Sequence, residues 1–190
     1  MTRWIVFLLV LSAVLPAKAE VASAEAEPYT AEQIAGLYFD AARQGRVDIL
    51  DSLIDAGAPV DARNEDGFTA LILAAYNDHP DTVSMLVRRG ADACAADYGG
   101  NTAQMGVAFQ GHDAMARQLL TYGCDPNAEN DAGQTSLMMA ALFGRTEQVE
   151  MLRVAGADAL KRDFMGRTAL LLARIQGNDE MVALLTDAGS

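Results

Sequence analysis

Ala132-Gly133-Gln134-Thr135-Ser136-Leu137-Met138-Met139-Ala140-Ala141-Leu142-Phe143-Gly144-Arg145-Thr146-Glu147-Gln148-Val149-Glu150-Met151-Leu152-Arg153-Val154-Ala155-Gly156 repeats itself along the chain. A shift of 33 residues aligns Gly67, Gly100, Gly133 and Gly166, with Thr69, Thr102, Thr135 and Thr168 two places later. A second glycine column, Gly57, Gly90, Gly123, Gly156 and Gly189, keeps the same period, and so does an apolar one, Leu53, Leu86, Leu119, Leu152 and Leu185. Three independent columns at one fixed period of this length mean a solenoid of stacked units.

Each Gly-x-Thr is followed by a short apolar run such as Thr69-Ala70-Leu71-Ile72-Leu73-Ala74-Ala75. The threonine caps a first helix of about two turns, and the alanines permit close approach of a neighbour. After a break at Asp78, Gly111, Gly144 or Gly177, a second helix carries apolar residues at i, i+3 and i+4, as at Val83, Leu86 and Val87. The second glycine column closes it with a left-handed cap. Segments between units, such as Asp61-Ala62-Arg63-Asn64-Glu65-Asp66-Gly67, hold turn formers and predict a projecting hairpin.

From Thr30 to Gly189 the chain resembles the ankyrin-repeat family, an all-α solenoid of 33-residue helix-turn-helix units with projecting hairpin turns. The period, the Gly-x-Thr pairs and the linkers Gly90-Ala91-Asp92, Gly123-Cys124-Asp125 and Gly156-Ala157-Asp158 carry the resemblance. The family's Thr-Pro-Leu-His helix start is replaced by Thr69-Ala70-Leu71-Ile72, Thr102-Ala103-Gln104-Met105, Thr135-Ser136-Leu137-Met138 and Thr168-Ala169-Leu170-Leu171. Without that His a polar link between units is lost, so apolar stacking is expected to carry more of the cohesion.

In chain order, residues 1–19 open with Arg3, run apolar from Trp4 to Leu15 and end Pro16-Ala17-Lys18-Ala19. That pattern describes a secretory signal cleaved after Ala19. The apolar run is shorter than the roughly 20 residues a spanning helix needs, so no stable membrane insertion is expected after cleavage. A periplasmic or secreted location follows. Residues 20–28 read as a flexible leader, and 29–190 as the repeat domain, in units of about 30–62, 63–95, 96–128, 129–161 and 162–190. Thr30 and Gln33 form a capping box, and Tyr29 with Ile34 has the spacing of a hydrophobic staple, so the first unit begins as a helix without a hairpin. In the fifth unit Arg174 replaces the alanine of Ala75, Ala108 and Ala141, as expected where a face meets water.

The formal net charge is −12. Such a chain repels phosphate backbones and anionic membrane surfaces, which excludes nucleic acid as a natural partner and favours a protein with a basic patch. Catalysis has no visible seat: His79 and His112 occupy the same place in successive units, and neither Ser nor Cys has a His and acid partner in a motif. No cofactor is expected. Met105 and Met138 align with Ile72 and Leu171, and Met85 and Met151 with Leu184, so the methionines read as core residues rather than metal ligands. Metal or small-ligand binding through Met and His is the alternative, and copper- or zinc-dependent stabilisation would reveal it. Cys94 and Cys124 lie in the linkers of adjacent units with an offset that can bring them within bridging reach. Either a disulfide joins units two and three, as an exported protein permits, or both are small buried thiols.

The resemblance places a partner-binding groove along the hairpin tips and the ends of the first helices. Carried over by position, the tips hold Phe68, Tyr98, Phe164 and Met165, and the helix ends hold Tyr76, Phe109, Leu142 and Phe143. Six of the ten aromatics beyond Ala19 fall in these columns. Bordered by Glu65, Asp66, Asp97, Glu129, Asp131 and Asp163, they have the makeup of an interface with apolar anchors and a charged rim. The aromatics can also shield the hairpins by packing on one another, or pair two copies of the chain by self-association. For an exported protein of this kind the resemblance implies support of another exported protein, such as a peroxide-removing enzyme; the alternative use is immunity against a periplasmic toxin, for which the acidic charge and a compact groove suit a basic target.

Overall fold

The computed structural model describes residues 30–186. The expected signal segment, the leader, the Tyr29 half of the staple and the cap at Gly189 lie outside the described residues. Ten helices alternate in pairs: α1 (Ala31–Arg43) with α2 (Val47–Asp55), α3 (Ala70–Tyr76) with α4 (Pro80–Arg88), α5 (Ala103–Gln110) with α6 (Asp113–Leu120), α7 (Ser136–Leu142) with α8 (Thr146–Val154), and α9 (Ala169–Ile175) with α10 (Asp179–Thr186). The first helices of all pairs stack in one continuous layer, α1 on α3 on α5 on α7 on α9, and the second helices back them.

Local chemistry fixes each unit in the same way. Thr30, Thr69, Thr102, Thr135 and Thr168 each accept a hydrogen bond from the backbone N–H three residues on, at 3.1, 3.2, 3.4, 3.3 and 3.2 Å. This satisfies a donor that a helix start leaves unpaired. Gln33 returns the bond to the Thr30 backbone, completing the capping box. At the breaks, Asp78, Gly111, Gly144 and Gly177 all have positive φ, of 58°, 90°, 68° and 66°. Asp78 is the one non-glycine residue of the described chain in that region.

The core is the contact surface between pairs. Ala42, Ala75, Ala108 and Ala141 form a column with no exposed area, and Leu50, Leu86 and Leu152 are equally covered. Met105, Met138, Met115 and Met181 are buried as well. In the fifth unit the same face opens: Leu171 is 41% exposed where its column-mates Ile72, Met105 and Met138 are buried, and Arg174 is exposed.

Polar links between units are more numerous than the loss of the family's helix-start His suggests. His79 Nε2 donates to the carbonyl of Arg43 at 2.8 Å, and Arg145 Nη2 donates to that of Phe109 at 2.9 Å. Gly45 and Gly111 make room for these side chains; a Cβ on either would lie 2.6 Å from the His79 ring or the Arg145 guanidinium. One backbone-to-backbone hydrogen bond steps from each hairpin to the next: Tyr98 N–H to Asp66 O, Asp131 N–H to Gly99 O and Phe164 N–H to Ala132 O. Cohesion is therefore shared between the alanine-lined stack and a periodic backbone ladder.

Cys94 and Cys124 form a disulfide, with their Cα atoms 5.3 Å apart. Its place in the period is informative. One unit before Cys94, Asp61 accepts from the N–H of Asp92 at 3.0 Å; one unit after, Asn127 accepts from the N–H of Asp158 at 2.7 Å. The disulfide thus stands at the joint of units two and three where the neighbouring joints use a side-chain hydrogen bond. Cys94 is exposed, which departs from the reading of two buried thiols.

Closure of the 30-residue loop predicts that a Cys94→Ala, Cys124→Ala variant loses about 3 to 4 kcal/mol in urea unfolding. Cys94→Asn with Cys124→Ala restores the side chain that Asn127 uses and is expected to regain about 1 kcal/mol over the alanine pair.

Candidate functional site

The concave face between the hairpins and the first helices holds a groove of about 560 Å³. Phe68 and Thr102 line it from the hairpin side, and Ile72, Leu73, Tyr76, Asn77, Met105, Gly106, Phe109 and Met139 line it from α3, α5 and α7 and their ends. Arg43, Asp97 and Asn101 add the polar lining. The volume falls within the range of sites that seat ligands or partner side chains.

Three aromatics from successive units line up along this face. Tyr76 and Phe109 are stacked with centroids 6.3 Å apart and planes 15° from parallel, and Phe143 meets Phe109 edge-on at 4.7 Å. The column runs Tyr76, Phe109, Leu142; Phe143 is one residue past it and supplies the third ring, while Leu142 turns inward and packs against the core. Mutual packing of the rings contributes about 0.5 to 1.5 kcal/mol per pair beyond area. It does not hide them: Tyr76, Phe109 and Phe143 remain 36%, 44% and 37% exposed.

The structure divides the residues grouped by sequence. Phe68 is half-buried in the groove wall. Tyr98 and Phe164 lie in the hairpin ladder instead, each ring over the glycine of an earlier tip, Gly67 and Gly133, where a Cβ would meet the ring at 2.5 and 2.8 Å. The Arg63 guanidinium sits over Tyr98 at 6.0 Å from its centroid. Phe164 and Met165 are the most exposed of the set, at 78% and 76%, and neither lines the groove.

The acidic rim is thinner than the composition suggests. Asn64, Asp97, Asn130 and Asp163 form one column, and the Oδ1 atom of each accepts from the backbone N–H groups two and four residues on. Their carboxylates and amides build the hairpins. Glu129 pairs with Lys161. Glu65, Asp66 and Asp131 are exposed and take part in none of the ion pairs among the described residues.

His79 and His112 are the residues before α4 and α6, 33 positions apart. His79 is spent on the Arg43 carbonyl, and His112 lies 3.8 Å from Asp78. Among the described residues no cluster of three or more His, Cys, Asp or Glu is placed to hold a metal ion, and no helix is long and apolar enough to cross a membrane. Of the lining residues, the sequence pattern assigns Phe68, Tyr76 and Phe109 to the groove, with Asp97 at its rim; Leu73, Asn101, Met139 and Gly106 are among those it does not single out, and Gly106 is the one that breaks its column. The available signal was its column, which otherwise reads Leu73, Met139 and Leu172 in the hairpin-bearing units.

A family model for ankyrin repeats, three copies long, matches residues 38–130 and again 104–190. Over 45 residues the chain is 47% identical to a protein of Pseudomonas aeruginosa named as an ankyrin repeat protein; the match covers 24% of this chain and 26% of that relative. The chain thus spans about a quarter of the length of the curated relative it matches.

Asp163 has a measurable signature. Burial raises its carboxyl, but the Arg167 N–H and guanidinium and the Met165 N–H outweigh burial and hold it below the usual aspartate range. A carboxylate lowered in the folded state stabilises fully above the unfolded value, about 3.9, and that contribution is lost as pH falls through the folded value. Asp163→Asn keeps the acceptor that Asn64 and Asn130 use but loses the Arg167 pair. It is expected to lose about 1 kcal/mol at neutral pH and to show a shallower loss of stability below about pH 4 in acid-dependent thermal melts.

Proposed function

The chain belongs to the ankyrin-repeat family, and from that premise we infer that it is a binding module that engages a partner protein through its concave groove, outside the cytoplasm. Ankyrin repeats mediate protein–protein interaction, and the family is one of binding proteins rather than enzymes. The observation that carries the groove assignment is the Tyr76–Phe109–Phe143 ladder. Three aromatic rings from three units stay more than one-third exposed on one face while the equivalent alanine and leucine columns beneath are sealed. Aromatic anchors of this kind dominate the energetics of protein interfaces.

The partner is a protein that presents positive charge. The net charge of −12 and the uncommitted Glu65, Asp66 and Asp131 at the hairpin tips support that reading through electrostatic steering. Residues 1–19 have the pattern of a secretory signal, and the Cys94–Cys124 disulfide suits an oxidising compartment, so the periplasm is the proposed site of action. There the module supports another exported protein, a stress-defence enzyme such as one that removes peroxide. The acidic tips favour a second use, neutralisation of a basic periplasmic toxin.

Affinity capture from periplasmic extract tests the groove. The parent protein is expected to retain a partner, and a Tyr76→Ala, Phe109→Ala, Phe143→Ala variant with an unchanged circular dichroism spectrum is expected to bind on the order of a hundredfold more weakly. Equal capture by both proteins would overturn the assignment.

A further inference from the structure

One residue of the groove lining breaks an otherwise regular column. In α3, α7 and α9 the position is Leu73, Met139 and Leu172; in α5, between α3 and α7, it is Gly106. A glycine inside a helix is less favourable than alanine, and φ at Gly106 is not in the region that requires glycine. Nor does backbone crowding demand it. The nearest atom to a Cβ built there is Tyr76 Cδ2, at 3.2 Å, the side of a partly exposed ring. Gly106 therefore lets the Tyr76 ring lie against α5, and it lines the groove where the other units carry a Leu or Met side chain. Met105, Phe109 and Met139 line the same groove.

Charge beside the groove is mainly acidic. Arg43, the one cation among the lining residues, is held by Asp40 at 2.7 Å, and Arg63, on the hairpin before α3, is engaged by the carbonyls of Gly67 and Ala96. Glu65 and Asp66, next to the groove-lining Phe68 in sequence, and Asp131 on the following hairpin are exposed and take part in none of the ion pairs among the described residues. An apolar notch beside acidic residues complements a bulky apolar side chain with a positive charge beside it.

Resting on the groove reading above, we propose that the notch over Gly106 is a specificity pocket that receives one aromatic or branched aliphatic side chain of the partner protein, flanked by Lys or Arg. The glycine sets the size of the side chain admitted, and the acidic tips select the charge of its neighbour. Anchoring of this kind places the most buried contact at the centre of the interface, where binding energy concentrates.

The test uses small probes and needs no identified partner. Tryptamine and indole-3-acetate share a ring and differ in charge; each is titrated into the protein while side-chain NMR signals are followed. Tryptamine is expected to shift signals of Leu73, Tyr76, Met105 and Phe109, and to bind about threefold more tightly than indole-3-acetate, the scale of a solvent-exposed ion pair. Gly106→Met, filling the notch with the side chain found at position 139, is expected to abolish the shifts, and Gly106→Ala to reduce them in part. Both variants restore a helix-favouring residue, while the Tyr76 ring, 3.2 Å from the new Cβ, has to shift slightly to admit it; a circular dichroism spectrum matching the parent identifies variants that are folded and can be scored. Shifts that persist in Gly106→Met, or no shifts in the parent, would overturn the pocket. An equal response to the two probes would overturn its charge preference. Loss of the pocket would leave the groove reading standing if the triple aromatic variant still failed to retain a partner, so the two can fail separately.

Discussion

The whole solenoid depends on how closely one first helix can approach the next. Ala42, Ala75, Ala108 and Ala141 have no exposed area because each lies at the contact between successive units, and interaxial distance is set by the side chains at the contact. A single pair of helices has nothing to cover its apolar face, so the units gain stability only by stacking. Everything that projects from the stack, hairpins and aromatic ladder alike, inherits the spacing of that alanine-lined layer. It brings rings on successive helix ends within stacking distance, 6.3 Å from Tyr76 to Phe109.

The joints show how a periodic protein varies its connections while keeping its geometry. Asp61, Cys94 and Asn127 hold the same place in three units, and two accept a backbone hydrogen bond while the third forms a covalent link. The disulfide ties units two and three, the units that supply Tyr76 and Phe109. A covalent clasp at that joint restrains the part of the stack on which the groove is built.

Most of the fold was legible in the sequence because repetition turns one local signal into several. The threonine caps and both glycine columns recur from unit to unit, and among the described residues the structure uses them alike. The finer polar chemistry was not legible. Asp97 and Asp163 read as rim charges because a carboxylate that accepts its own turn's N–H groups has the same letter as one that faces solvent; the Asn64 and Asn130 column-mates were the clue. Tyr98 and Phe164 read as groove aromatics because hairpin tips and helix ends were joined in one stripe. Their rings instead cover Gly67 and Gly133 on the hairpin ladder, a contact that only the stacking of successive tips creates. Gly106 escaped notice because an absence of side chain gives no chemical signal, except against the apolar residues of its column.

Function then follows from what the stack leaves uncovered. The second helices also present apolar surface, where Val154, 91% exposed, lines a smaller depression with Leu120 and Met151, but no aromatic ring lines it. A photo-crosslinking phenylalanine analogue at position 109 in the groove, compared in living cells with the same analogue at position 154, tests the central claim directly. A discrete adduct with another protein from position 109 and none from position 154 is the expected result. Adducts from position 154 alone would contradict it and place the partner on the second-helix side of the molecule.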